Sequence, residues 1–155
     1  MNNDTIMDQI WPIIANKEAI AVSQTYAGFS GGTFQSSSVS VTLDDVNHAA
    51  MERGMTEAEL RATGPTVTAS HQYLYKPLDY AGTKAVVLLM NSDTMTQDLT
   101  LNFADVPGLT GSCFVHDIWA HKDLGQAKSM TFTVESHDAA FLVLSGCSSA
   151  PAHVV

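Results

Sequence analysis

The segments DLTLNF (residues 98–103) and MTFTV (residues 130–134) decide how this chain folds. In the first, Leu99, Leu101 and Phe103 alternate with Asp98, Thr100 and Asn102; in the second, Met130, Phe132 and Val134 alternate with Thr131 and Thr133. A strand points successive side chains to opposite faces, so each segment predicts a strand with one buried face and one wet face. Outward from these, residues 85–90 and 139–144 are apolar throughout, which suits central strands covered on both sides, and residues 72–78 and 113–119 complete a set of six. Turn-forming clusters separate them at residues 79–83, 91–94, 105–111, 122–126 and 135–138. Six short strands with no intervening helix predict an antiparallel sandwich or barrel.

The chain ahead of residue 70 obeys a different period. Ile6, Ile10, Ile13 and Ile14 recur at helical steps, with Asn3 or Asp4 available as an N-cap. Pro12 lies inside that run and either kinks the helix or starts another; with the apolar residues 19–22 that follow, the pattern predicts two short helices. Residues 28–38, with Gly31, Gly32 and three serines in a row, read as loop with one edge strand ending near Val41. Residues 44–59 are rich in helix formers; Gly54 is a stop, and Thr56 with Glu59 forms a capping box, giving a helix, a turn and a second short helix that Gly64 and Pro65 end.

Composition bounds the functional classes. The chain has 155 residues, 7 basic against 16 acidic, for a formal charge of -9. One domain, or one and a piece, is the ceiling. Chains of this size bury roughly 68–70% of their unfolded surface and need neither disulfide nor metal to make a core. Nucleic acid and anionic lipid are bound by clustered Lys and Arg, which this sequence lacks, so neither partner is expected. No apolar run approaches the roughly 20 residues that span a bilayer as a helix. Residues 1–8 carry Asn and Asp where a secretory signal would place Lys or Arg and then an apolar core, so no export signal is expected in them. Cys113 and Cys147 are too few for a disulfide framework and match no zinc spacing; buried free thiols are the expectation and a single bridge the alternative.

The chemistry-bearing residues are sparse. GxSxG, HExxH, CxxC and the phosphate-binding loop are all missing, and the pair Gly31 and Gly32 lacks the following Lys and helix. Asp44, His48 and Glu52 fall four apart on one expected helix face, a spacing that a metal could use but that a solvated face uses far more often. His116 and His121 bracket Trp119 near a strand end, and Asp117 with Asp123 superficially resembles an acid/base pair; structural roles are expected for all of them. Tyr73, Tyr75, Tyr80 and Trp119 could stack on a sugar ring if they shared an exposed face. Tyr73 and Tyr75 do share a strand face, but aromatic residues at period two are more often core or cross-strand pairs. No catalytic, cofactor-binding or metal-binding residue is assigned, and no cofactor is expected.

Three segments taken in order carry a resemblance: NKEAIAVSQ (16–24), YLYKPL (73–78) and, most specifically, DIWAHKDLG (117–125). Together they resemble the C-terminal portion of an alpha-galactosidase of glycoside hydrolase family 27, where the last barrel helix is followed by an antiparallel β-sandwich. KAVVLLMN (84–91), LNFAD (101–105) and residues 136–144 are similar to further strands of that sandwich. The chain departs from the family at Ser23 and Thr25, where Asn and Asp are usual, at Asp138, where Gly is usual, and at residues 41–69, an apparent surface insertion.

The resemblance implies a mainly β fold: an antiparallel β-sandwich preceded by a short helical segment left from a (β/α)8 barrel. The implied division is a helical remnant of the barrel at 1–24, a linker with a helical insertion at 25–70, the sandwich at 71–146 and a flexible tail at 147–155. The whole enzyme would remove terminal α-D-galactosyl residues by a retaining mechanism, one Asp acting as nucleophile and another as acid/base, both upstream of this chain on earlier barrel strands. No catalytic position therefore carries over, the chain alone is expected to be inactive, and its sandwich is a supporting domain. The implied partners are its own upstream barrel and, for the whole enzyme, a galactoside. Members of the family are typically secreted or lysosomal or vacuolar, and Met1 resembles an internal methionine or the start of a truncated product. The alternative is a stand-alone carbohydrate-binding sandwich using Tyr73, Tyr75 or Trp119. A lead-in without its barrel would expose apolar surface and self-associate.

Overall fold

A computed structural model describes residues 3–40 and 67–149. Two helices open the chain, α1 (Asn3–Ile14) and α2 (Lys17–Gln24). Pro12 is accommodated inside α1, and the break falls later, at Ala15 and Asn16, where the amide of Asn16 reaches back to the Ile13 carbonyl at 3.3 Å. Asn16 then caps α2, its Oδ1 accepting from the amides of Glu18 (3.0 Å) and Ala19 (3.2 Å), which satisfies two of the donors that a helix start leaves open.

The strands are β1 (Gly32–Ser40), β2 (Val67–Pro77), β3 (Ala85–Asn91), β4 (Gln97–Asn102), β5 (Leu109–Thr110), β6 (Cys113–Asp117), β7 (Lys122–Ala127), β8 (Ser129–Val134), β9 (Ala139–Ser145) and β10 (Ser148–Ser149). One sheet runs β1-β2-β3-β9-β6-β7, all antiparallel; facing it are the pairs β4-β8 and β5-β10. The core lies between the layers. Tyr73, Val87, Leu89, Val115, Leu142 and Leu144 point in from the large sheet, and Leu99, Leu101, Phe103, Val106, Leu109 and Val134 meet them from the other side. The alternation in 98–103 and 130–134 is the pattern that makes this second layer. Phe103 itself leaves the strand for a 3-10 turn (Phe103–Asp105) while staying fully buried. One buried polar residue ties the layers together: the amide nitrogen of Asn91 donates to the carbonyls of Met95, Val134 and Glu135 at 2.9–3.0 Å, and its oxygen accepts from the Asp93 amide.

Three expectations change. Residues 122–126, which read as a turn, form strand β7 beside β6. This edge strand has four exposed residues, Lys122, Asp123, Gly125 and Gln126, and a register shift opposite His116 spoils the period that would have marked it. The segment 113–119 ends as a strand at Asp117, and Ile118 and Trp119 turn away. Cys113 and Cys147 are joined in a disulfide and are not free thiols. The cause is register: β6 and β9 pair with Phe114 opposite Ser145, so Cys113 and Cys147 flank the same rung and their Cα atoms lie 4.4 Å apart. A separation of 34 positions along the chain carries no trace of that approach. The edge strand expected to end near Val41 is β1, paired with β2. The helices expected within 44–59 lie outside the described residues.

The outer face of the large sheet is apolar as well, through Leu74, Val86, Leu88, Phe141 and Val143, and α2 lies over part of it. α1 does not share that shelter: Met7, Ile10, Trp11, Ile13 and Ile14 are all exposed, Trp11 to 59%.

Candidate functional site

The polar side chains of greatest interest gather where α2 meets the large sheet. Asn16 is only 4% exposed; besides capping α2 it donates from Nδ2 to the Ile118 carbonyl, 3.0 Å away and 102 residues later in the chain. At the other end of the helix the Lys76 ammonium, from β2, donates to the carbonyls of Val22 (2.7 Å) and Ser23 (3.3 Å). A cation against the last carbonyls of a helix complements the negative end of its dipole.

Glu18, in the first turn of α2, faces two histidines. Its Oε2 lies 2.9 Å from Nε2 of His116 on β6, and its Oε1 lies 3.1 Å from Nδ1 of His121. His121 sits in the β6–β7 turn with left-handed backbone (φ 51°), which brings its ring back toward the helix. The second ring nitrogen of His116 faces Asp123 on β7, Nδ1 to Oδ1 2.6 Å. The bonds from His121 and then from His116 hold the Glu18 carboxyl below its ordinary value. The bonds to Asp123 and then to Glu18 raise the His116 imidazole above its own. Each partner thus favours the charged form of the other.

Beside α2 runs a cleft of about 370 Å³ whose lining includes Glu18, Val22, Lys84, His116, Asp123 and Val143; a second, of about 340 Å³, lies against Val22, Leu74, Lys76, Val86 and Phe141. Retaining glycosidase chemistry requires two carboxyl groups about 5–5.5 Å apart and free to act on a sugar between them. In the first cleft both carboxylates, Glu18 and Asp123, are committed to opposite sides of one imidazole. What this arrangement can do chemically is hold a helix on a sheet.

The other candidates disperse. Asp44, His48 and Glu52 lie outside the described residues. Asp117 accepts from the Ala120 amide at 2.9 Å, the local turn role expected of it, and Asp123 goes to His116 instead. Tyr73 is 2% exposed in the core, its hydroxyl donating to the Thr100 carbonyl at 3.1 Å and pushed up in pKa by burial. Tyr75 packs edge-on against Phe34 at 5.8 Å and tilted on Phe29 at 5.5 Å. The face that these two tyrosines share is therefore the inward one, and they make no sugar platform. Tyr80 is 80% exposed, while Trp119 leans on Phe141 with ring centroids 5.3 Å apart. Among the described residues no group of three His, Cys, Asp or Glu side chains could hold a metal ion, and no helix is long and apolar enough to cross a membrane. Glu18 was missed in the sequence; its one local signal is its place two residues after the capping Asn16, which puts it at the open end of α2.

The sandwich geometry has a clear counterpart. Residues 68–144 match the model of the alpha-galactosidase C-terminal β-sandwich domain. The sandwich belongs to that family. The fold of the alpha-galactosidase C-terminal domain recurs in solved structures: alpha-galactosidase I from Mortierella vinacea is similar at 22% identity with a TM-score of 0.58, over 89% of this chain and 29% of that one. Saccharomyces cerevisiae alpha-galactosidase, determined with raffinose, is similar at 14% identity and a TM-score of 0.58, over 89% and 37%. Arthrobacter globiformis T6 isomalto-dextranase, complexed with panose, is similar at 19% identity and a TM-score of 0.57, over 94% and 20%. The chain thus spans a minor part of the length of each. No curated protein matches it by sequence. At these identities the likeness is one of fold.

Proposed function

We propose that this chain is the C-terminal segment of an alpha-galactosidase-like enzyme whose whole form hydrolyses terminal α-D-galactosyl residues by a retaining mechanism, with the sandwich as a supporting domain. The proposed division is a barrel-derived lead-in to residue 24, a linker to residue 70 that carries edge strand β1 and the start of β2, the sandwich to residue 146, and a tail whose first residues, 147–149, are tied back to the sandwich by the disulfide and by β10. The observation that carries this reading is the family match over 68–144 preceded by a helix, α1, on which Met7, Ile10, Trp11, Ile13 and Ile14 stay exposed. A β/α barrel supplied upstream would cover them and would bring the two catalytic carboxylates, each at the end of a barrel strand. Galactoside and barrel are the proposed partners. The test is an assay of the purified 155-residue chain with an aryl α-galactoside: no release above the buffer rate is expected. Enzyme-like turnover by the pure chain would overturn the reading, as would an upstream coding sequence that encodes no β/α barrel.

A further inference from the structure

The Glu18, His116, Asp123 and His121 cluster joins α2 to the β6–β7 hairpin, 98 positions later at His116, and its geometry sets a condition. Both ring nitrogens of His116 lie within hydrogen-bond distance of carboxylate oxygens, at 2.6 and 2.9 Å. A neutral imidazole has one N–H and one lone pair, so one of these contacts would set a lone pair against an anion; only the imidazolium donates to both. We infer that Glu18, His116, Asp123 and His121 form a proton-dependent clasp, which fastens α2 fully to the sheet only while His116 carries both of its protons. The clasp lies wholly within this chain and goes beyond the proposed parent activity, because it stands whether or not a barrel precedes α2.

The groups around His116 support that sign. From α2 it faces Glu18, which Lys17 precedes in sequence; from β7, Asp123 and Lys122; from the turn, His121; on β6, Asp117 follows it; Lys84 shares the cleft, and Lys76 is committed to the end of the helix. The two side chains in direct contact with the ring nitrogens are both acidic. His116 is raised above its ordinary 6.5, so its share of the clasp is complete below 6.5 and is lost as pH rises through the raised value. Glu18 is lowered from 4.5, so its share is complete above 4.5 and is lost as pH falls through the lowered value. Full strength therefore spans the interval from 4.5 to 6.5. Above it α2 loosens but does not leave, because the bonds of Asn16 and Lys76 do not depend on His116.

The experiment is a pH series on the intact 155-residue chain, reading amide exchange protection along α2, corrected for intrinsic rates, together with the nitrogen shifts of the His116 ring. Protection of α2 relative to β3 should fall roughly fivefold between mildly acidic and alkaline pH, the factor that one hydrogen bond is worth. Both ring nitrogens should be protonated at the acidic end. His116→Gln should remove the pH dependence. Should that variant fold poorly, Glu18→Gln, which keeps the shape and loses the charge, should lower the titration midpoint of His116 and shrink the fall in protection. Unchanged pH dependence in either folded variant, a flat wild-type profile, or a His116 ring with one bare nitrogen at acidic pH would overturn the clasp.

Discussion

The two helices of the lead-in are neighbours in sequence and opposites in how they are held. α1 has the stronger apolar pattern and keeps it in the open, with Met7, Ile10, Trp11, Ile13 and Ile14 all exposed. α2, eight residues long with no buried side chain of its own, is fixed at both ends: Asn16 to the Ile118 carbonyl, Lys76 to the last carbonyls, and Glu18 to two histidines. An isolated helix of that length is marginal in water. Polar contacts placed at the termini, where a helix has unpaired groups to satisfy, can therefore locate a segment that hydrophobic burial does little to hold.

The comparison can be broken from the sandwich side first. Replacing Cys147 with Ser opens a loop of 34 positions and should cost about 3 kcal/mol of sandwich stability in urea unfolding. α1, whose large apolar side chains are mostly exposed, should lose its helical signal gradually ahead of that transition. If the disulfide were merely decorative, the midpoint would not move. Next in size is Asn16→Ala, which removes the cap and leaves the Ile118 carbonyl without its donor; about 2 kcal/mol is expected, seen as lost exchange protection along α2 while β3 and β9 keep theirs. Lys76→Met keeps the stem and deletes the cation, and about 1 kcal/mol of α2 protection should go with it. Retained protection would mean that the dipole contact is idle. The smallest effect on stability belongs to α1: Trp11→Ser with Ile14→Ser should leave unfolding unchanged, yet reduce self-association of the chain in sedimentation velocity, since these side chains are exposed. A wild-type chain that sediments as a monomer would mean that the α1 face needs no cover.

The same contrast explains what was legible in the sequence. β4 and β8 were legible because Leu99, Leu101 and Val134 are buried and their neighbours wet, so the burial pattern is written at period two. β3 and β9 read as apolar on both faces because one face meets the core and the other lies toward α2. β7 was not legible: an edge strand with little to bury has little pattern to show. Tyr73 and Tyr75 show the limit of periodicity, which says that two residues share a face and not which face it is. The clasp and the disulfide escaped for a common reason. Glu18 meets His116 across 98 positions through the packing of α2 on the sheet, and Cys113 meets Cys147 across 34 through strand register, and no local window contains either.

Asn91 carries a consequence of another kind. Its amide nitrogen is the shared donor for three carbonyl oxygens from the β3–β4 turn and the end of β8, and the Ser92 amide, which would have to attack the side chain for Asn91 to deamidate, itself donates to the Ser70 carbonyl at 2.8 Å. Hydrolysis of that one amide would turn the donor into an anion aimed at three acceptors, and the contacts that make the seam depend on it also keep that ageing reaction out of the folded chain. Protein stored folded should then gain no acidic species at Asn91, whereas protein held unfolded should.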